Sequence, residues 1–139
     1  MSGRVIVSGS RHGASPGLVE SLLAALAPEV VIEGGATGVD ELARRWAWQH
    51  AVDSHTYRAH WQHYGSAAGP ERNARMLLCS EPDLVVAFPA RDSRGTWDLI
   101  RRARAAGVKT VVVPNESSVA AGRAALEAAG VLAAAGGGR

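Results

Sequence analysis

The sequence predicts an α/β fold: one open sheet of about five parallel strands with helices on both faces. Three observations carry this. Short apolar runs recur, at residues 5–7 (Val-Ile-Val), 30–32 (Val-Val-Ile) and 84–88 (Leu-Val-Val-Ala-Phe). Each flows into a glycine-marked or polar turn and then a helical pattern, the strand–turn–helix unit of such sheets. The runs are nearly continuous rather than alternating, as suits central parallel strands buried on both faces.

The elements follow in order. Residues 4–8 read as the first strand. Pro16 suits the first turn of a helix, and Leu18, Val19, Leu22, Leu23 and Leu26 supply an apolar stripe up to about Ala27. Pro28 ends it. Residues 29–33 form the second strand. A helix from Gly38 to about Val52 sets Val39, Leu42, Ala43, Trp46 and Ala47 on one face. Residues 54–58 make a weaker strand. Residues 59–69 lack a period and hold Trp61, Tyr64 and two glycines, so they are expected to form an irregular functional loop. Pro70 to about Ser80 is the next helix, with Ala74, Met76, Leu77 and Leu78. Residues 83–88 are the fourth strand. Gly95 to Ala106 is a helix closed by Gly107. Residues 109–113 are the fifth strand, stopped by Pro114. Residues 117–129 form an alanine-rich helix ending at Gly130. The expected organisation is one domain over 1–131 and a flexible tail over 132–139.

Composition narrows the function. The 139 residues are 47% hydrophobic, enough for one core. Lys+Arg minus Asp+Glu is 15 − 13, or +2, and no basic–aromatic stripe is visible. A dedicated nucleic-acid binder is therefore not expected. Lys109 is the only lysine, and arginine suits bidentate contacts to phosphate. Cys79 is the only cysteine, which fits a reducing compartment. No signal peptide or membrane-length apolar run is present, so the chain reads as soluble and cytoplasmic.

Ligands bind open α/β sheets outside the carboxyl ends of the strands. The glycine turns converge there. Glycine allows close backbone approach to an anion, and helix N-termini favour negative charge. A nucleotide-like small molecule is thus the expected partner. Several common signatures are absent: there is no G-x-G-x-x-G fingerprint, no P-loop and no G-x-S-x-G elbow. His60 and His63 are three apart but have no Cys or carboxylate nearby, so neither a metal nor a bound cofactor is expected.

An ordered set of motifs does hold. It comprises Gly9-Ser10-Arg11, then Gly34-Gly35-Ala36-Thr37-Gly38-Val39-Asp40, then Ala59-His60-Trp61. Tyr64-Gly65-Ser66-Ala67-Ala68-Gly69-Pro70-Glu71-Arg72-Asn73-Ala74-Arg75-Met76 follows, and Phe88-Pro89, Arg94-Gly95-Thr96 and Arg102-Ala103 complete it. Over about residues 4–113 the chain resembles the YspA-like, YpsA-related branch of the SLOG superfamily. That superfamily includes the Lonely Guy (LOG) phosphoribohydrolases and DprA. The resemblance implies a Rossmann-like domain that binds nucleotides or nucleotide-derived ligands, as a sensor or sequestering module. The alternative it implies is a LOG-like phosphoribohydrolase cleaving the N-glycosidic bond of a nucleoside monophosphate. Glu71-Arg72-Asn73-Ala74-Arg75-Met76 matches the E-R-K-x-x-M of those enzymes apart from Asn73. Leu99 stands where they carry the catalytic glutamate, with Asp98 one residue earlier. Arg72 and Asp98 are the catalytic candidates on that alternative.

The candidate ligand-binding residues are Gly9, Ser10, Arg11, Gly34, Gly35, Thr37, Gly38, Asp40, Arg72, Asn73, Gly95 and Thr96. Gly95-Thr96 opens a helix whose first N–H groups are free, a phosphate cradle or an ordinary cap. Thr37 is placed to cap the following helix. Asp40 could bond a ribose, brace Arg11 or complement the helix dipole. Arg11 could clamp phosphate or form a salt bridge. Arg72 opposes the dipole near its helix start and so calls for an anionic partner, either a ligand or an internal carboxylate, while Glu71 could instead pair with Arg11 or Arg75. Trp61 and Tyr64 could stack on a base or plug the sheet edge. Trp48 and Trp97 lie off the apolar stripes beside arginines, which suggests an interface and a homo-oligomer, most simply a dimer.

Overall fold

The computed structural model describes residues 3–133. Five parallel strands form one sheet: β1 (Arg4–Gly9), β2 (Val30–Glu33), β3 (Asp53–Thr56), β4 (Leu84–Phe88) and β5 (Thr110–Val112), in the order β3-β2-β1-β4-β5. Six α-helices connect and cover them: α1 (Pro16–Leu26), α2 (Val39–Gln49), α3 (Trp61–Tyr64), α4 (Ala68–Ser80), α5 (Arg94–Ala105) and α6 (Val119–Ala128). The expected α/β class and parallel sheet are both present.

The core has two layers. On one face, Val5, Val7, Val31 and Val86 pack against Leu18, Leu22, Trp46 and Leu126 from α1, α2 and α6. On the other, Ile6, Ile32 and Val85 meet Met76, Leu99 and Ala103 from α4 and α5. Every β4 residue is buried, which is why its run is uniformly apolar.

β1 lies between β2 and β4. The chain therefore leaves β1 toward one side of the sheet and later returns to its other side. This topological switch point opens a crevice at the carboxyl ends of β1 and β4.

Three expectations need revision. Of residues 59–69, only Ala59 and His60 are irregular. The rest hold α3, a 3₁₀ turn at Gly65–Ala67 and the start of α4. No α3 residue is buried, so no apolar period marks it. α4 begins at Ala68, two residues before Pro70, because a first-turn position needs no N–H bond and tolerates proline. α1 is closed by Ala27 in the left-handed region (φ 49°), before Pro28. The anticipated tail lies, from residue 134 on, outside the described residues.

Candidate functional site

A cavity of about 380 Å³ opens at the switch point. Gly9, Ser10 and Arg11 line it after β1, Ala36 and Asp40 after β2, and Gly95 and Thr96 after β4; Arg72 reaches in from α4. Asp92, Ser93 and Arg94 complete the β4 side.

The α5 end is built as an anion cradle. Ser93 precedes the helix but caps no helical N–H; its Oγ accepts from Ala90 N instead. The N–H groups of Gly95 and Thr96 have no partner among the described residues. Thr96 is 5% exposed and lines the cavity, and its hydroxyl has no hydrogen bond among the described residues. A Cβ at Gly95 would meet no atom within 4 Å. Packing therefore does not require glycine there. Its absent side chain leaves the cavity floor open.

Two arginines face this cradle. Arg11 is exposed and Arg72 half-buried, and neither forms an ion pair with a described carboxylate. Glu71 pairs with Arg75, one of the two partners expected for it. Arg72 is held by neutral acceptors: the Gly34 carbonyl, the Tyr57 carbonyl at 3.5 Å, and Asn73 Oδ1, which accepts from Nε at 3.0 Å. Burial lowers its pKa, Asp40 opposes that shift, and the nearby Arg11 charge adds to it.

Asp40 is buried, and its Oδ2 accepts from Gly34 N at 3.1 Å and Ala36 N at 3.2 Å. It therefore shapes the glycine turn rather than bracing Arg11. Burial raises its pKa to about 6, with the Glu33 charge adding to the rise; the Ala36 N–H opposes it. Glu33, which sequence reasoning missed, is fully buried. It accepts from Gly35 N at 2.6 Å, Arg44 Nη1 at 3.1 Å and the Thr56 hydroxyl. A carboxylate closing an apolar strand was the available signal.

Other expected residues play structural parts. Gly38 (φ 79°) is the helix-capping residue, without a side-chain cap; Thr37 is exposed and does not line the main cavity. A Cβ on Gly38 would come within 2.3 Å of the Ser10 carbonyl. The asparagine Asn73 is buried, and its Nδ2 donates to Gly95 O and Asp98 Oδ2, both at 3.0 Å. Asp98 also pairs with Arg102 at 2.8 Å and Arg101 at 3.6 Å. Neither Asn73 nor Asp98 lines the cavity. Leu99 is buried in the core. Trp97 is only partly exposed and donates from Nε1 to the Ala90 carbonyl at 3.1 Å, steadying the β4–α5 loop.

The order 3-2-1-4-5 with a cavity at the strand ends is that of a Rossmann-like α/β domain. The family comparison is more specific. The model of the YspA, cpYpsA-related SLOG family matches residues 3–64. Gene 61 protein of Mycobacterium phage D29 is 38% identical over 87 residues, spanning 59% of this chain and 69% of the relative. The chain belongs to the YspA, cpYpsA-related SLOG family. Its fold is similar to that of DNA processing protein A (DprA) from Streptococcus pneumoniae, with a TM-score of 0.65 and 20% identity. That match covers 87% of this chain and 53% of the other, so the chain spans about half the length of DprA.

Proposed function

We propose that the protein binds a nucleotide or nucleotide-derived phosphate ligand at the carboxyl ends of β1 and β4, as a sensor or sequestering module. One observation carries this reading. Two unpartnered N–H groups, on Gly95 and Thr96, share a cavity with Arg11, Arg72 and Arg94, none of which forms an ion pair with a described carboxylate. A helix N-terminus and a guanidinium both favour a bound anion. The cavity volume lies within the range of small-molecule sites. Family membership supports a nucleotide-related ligand. The free, exposed Cys79 suits a reducing compartment, and we place the protein in the cytoplasm. No described helix is long and apolar enough to cross a membrane. Heat-released small molecules identified by mass spectrometry, with thermal shifts against a nucleotide panel, test the reading. A nucleotide should raise the melting temperature, because a ligand that binds only the folded state stabilises it. No shift across the panel and no co-purifying nucleotide would overturn it.

We also infer self-association through α2. Trp48 is 84% exposed beside Glu41, Arg44 and Arg45 and next to the exposed edge strand β3. Exposed tryptophan flanked by arginine is typical of interface cores. Light scattering should report a dimer that Trp48→Ala weakens; a monomer at high concentration refutes this.

A further inference from the structure

Beside the cavity lies a smaller pocket of about 150 Å³, bounded by Arg11, Arg58, Arg72 and Trp61. It shares Arg11, Ala36 and Arg72 with the main cavity, so the two adjoin. Resting on the nucleotide reading above, we propose that the ligand carries two separate anionic groups and that Arg11, Arg58 and Arg72 hold the second. The ligand class is a nucleoside bisphosphate with phosphates on opposite sides of its ribose.

The two adjacent glycines explain how the arginines gather. A Cβ on Gly34 would sit 2.2 Å from Arg72 Nη1, and one on Gly35 would sit 3.1 Å from Arg58 Nη1. Each missing side chain admits one guanidinium. No carboxylate lines this pocket, and Arg58, like Arg11 and Arg72, has no described ion-pair partner. Guanidinium groups held together repel, Asp40 and Glu33 offset part of that repulsion at Arg72, and a bound anion relieves the rest.

Spacing decides between one long group and two. The α5 cradle follows β4, whereas the glycine pair follows β2, with β1 between them. Two strand spacings amount to about 10 Å. The phosphates of a pyrophosphate sit too close together to fill both places. Phosphates on the 5′ and 3′ sides of one ribose are spread more widely, and the shared Arg11 and Arg72 lie between the two places.

The test is calorimetric titration of the wild type and Arg58→Ala with 5′-monophosphates and 3′,5′-bisphosphates of the common nucleosides. A wild-type preference for one bisphosphate of about tenfold or more is expected, the effect of one charge-assisted contact. Arg58→Ala should remove that preference and leave monophosphate affinity within about twofold, since Arg58 is exposed and outside the main cavity. Equal affinity for both ligands, or equal weakening of both by Arg58→Ala, overturns the second group and leaves the nucleotide reading standing. If no nucleotide binds, thermal shifts with inorganic tripolyphosphate decide. Stabilisation of the wild type that Arg58→Ala loses keeps the anion subsite without the nucleotide. No stabilisation overturns both.

Discussion

Arg72 donates from Nη1 to the carbonyl of Gly34, thirty-eight residues earlier, and so ties α4 to the turn after β2. Only glycine allows this approach, because a Cβ would occupy the guanidinium's place. The same side chain lines the main cavity. One residue thus both assembles the site and supplies its charge.

Arg72→Ala should therefore do two separable things. Loss of its bonds to Gly34 and Asn73 should cost about 1–3 kcal/mol, read as a lower urea midpoint. It should also remove any nucleotide-induced rise in melting temperature. Arg72→Lys keeps the charge but lacks the planar fork, so it should recover only part of either effect. A full ligand shift in Arg72→Ala would remove Arg72 from the binding site.

Gly95 and Gly38 make a contrasting pair. Gly95→Ala places a methyl in open space near the start of α5, where alanine is the better helix former by about 0.5–1 kcal/mol. The variant should be as stable as the wild type or more so, yet should lose nucleotide binding. Gly38→Ala forces a Cβ against the Ser10 carbonyl at positive φ and should cost at least about 1 kcal/mol. Circular dichroism melts with and without nucleotide separate the two. If Gly95→Ala binds normally, the α5 cradle does not hold the ligand.

The legible parts of this chain were those set by local pattern. β4 is buried on both faces and reads as an unbroken apolar run. Trp48 fell off the helical stripe and is exposed. β3 has no buried residue and is ordered by its pairing with β2, so its start was expected one residue late. The glycine turns marked the site's location, but not the division of labour within it. Asn73 and Asp98 lie twenty-five residues apart and bond each other across the α4–α5 contact, which spacing alone cannot reveal. Asp40 read as a first-turn dipole residue, because its partners Gly34 and Ala36 meet it only once the turn folds back.

Asp40 should make both stability and binding depend on pH. Its folded pKa of about 6 exceeds the ordinary 3.8 because burial disfavours the charged form. The folded protein therefore keeps this proton where the unfolded chain has released it. Asp40's stabilising contribution is complete below pH 3.8 and lost as pH rises through about 6, a swing of roughly 3 kcal/mol at most. Asp40→Asn keeps an oxygen for the Gly34 and Ala36 N–H groups but carries no charge. It should match the wild type near pH 4 and exceed it in stability near pH 7.5. An anion in the adjoining cavity favours the protonated form further, so wild-type nucleotide affinity should fall with rising pH more steeply than that of the variant. Comparing slopes cancels the ligand phosphate's own titration near pH 6. Urea melts from pH 4 to 8, paired with titrations at the same values, read both effects. Parallel stability curves for the two proteins would refute the raised pKa, and parallel affinity curves would separate Asp40 from the ligand.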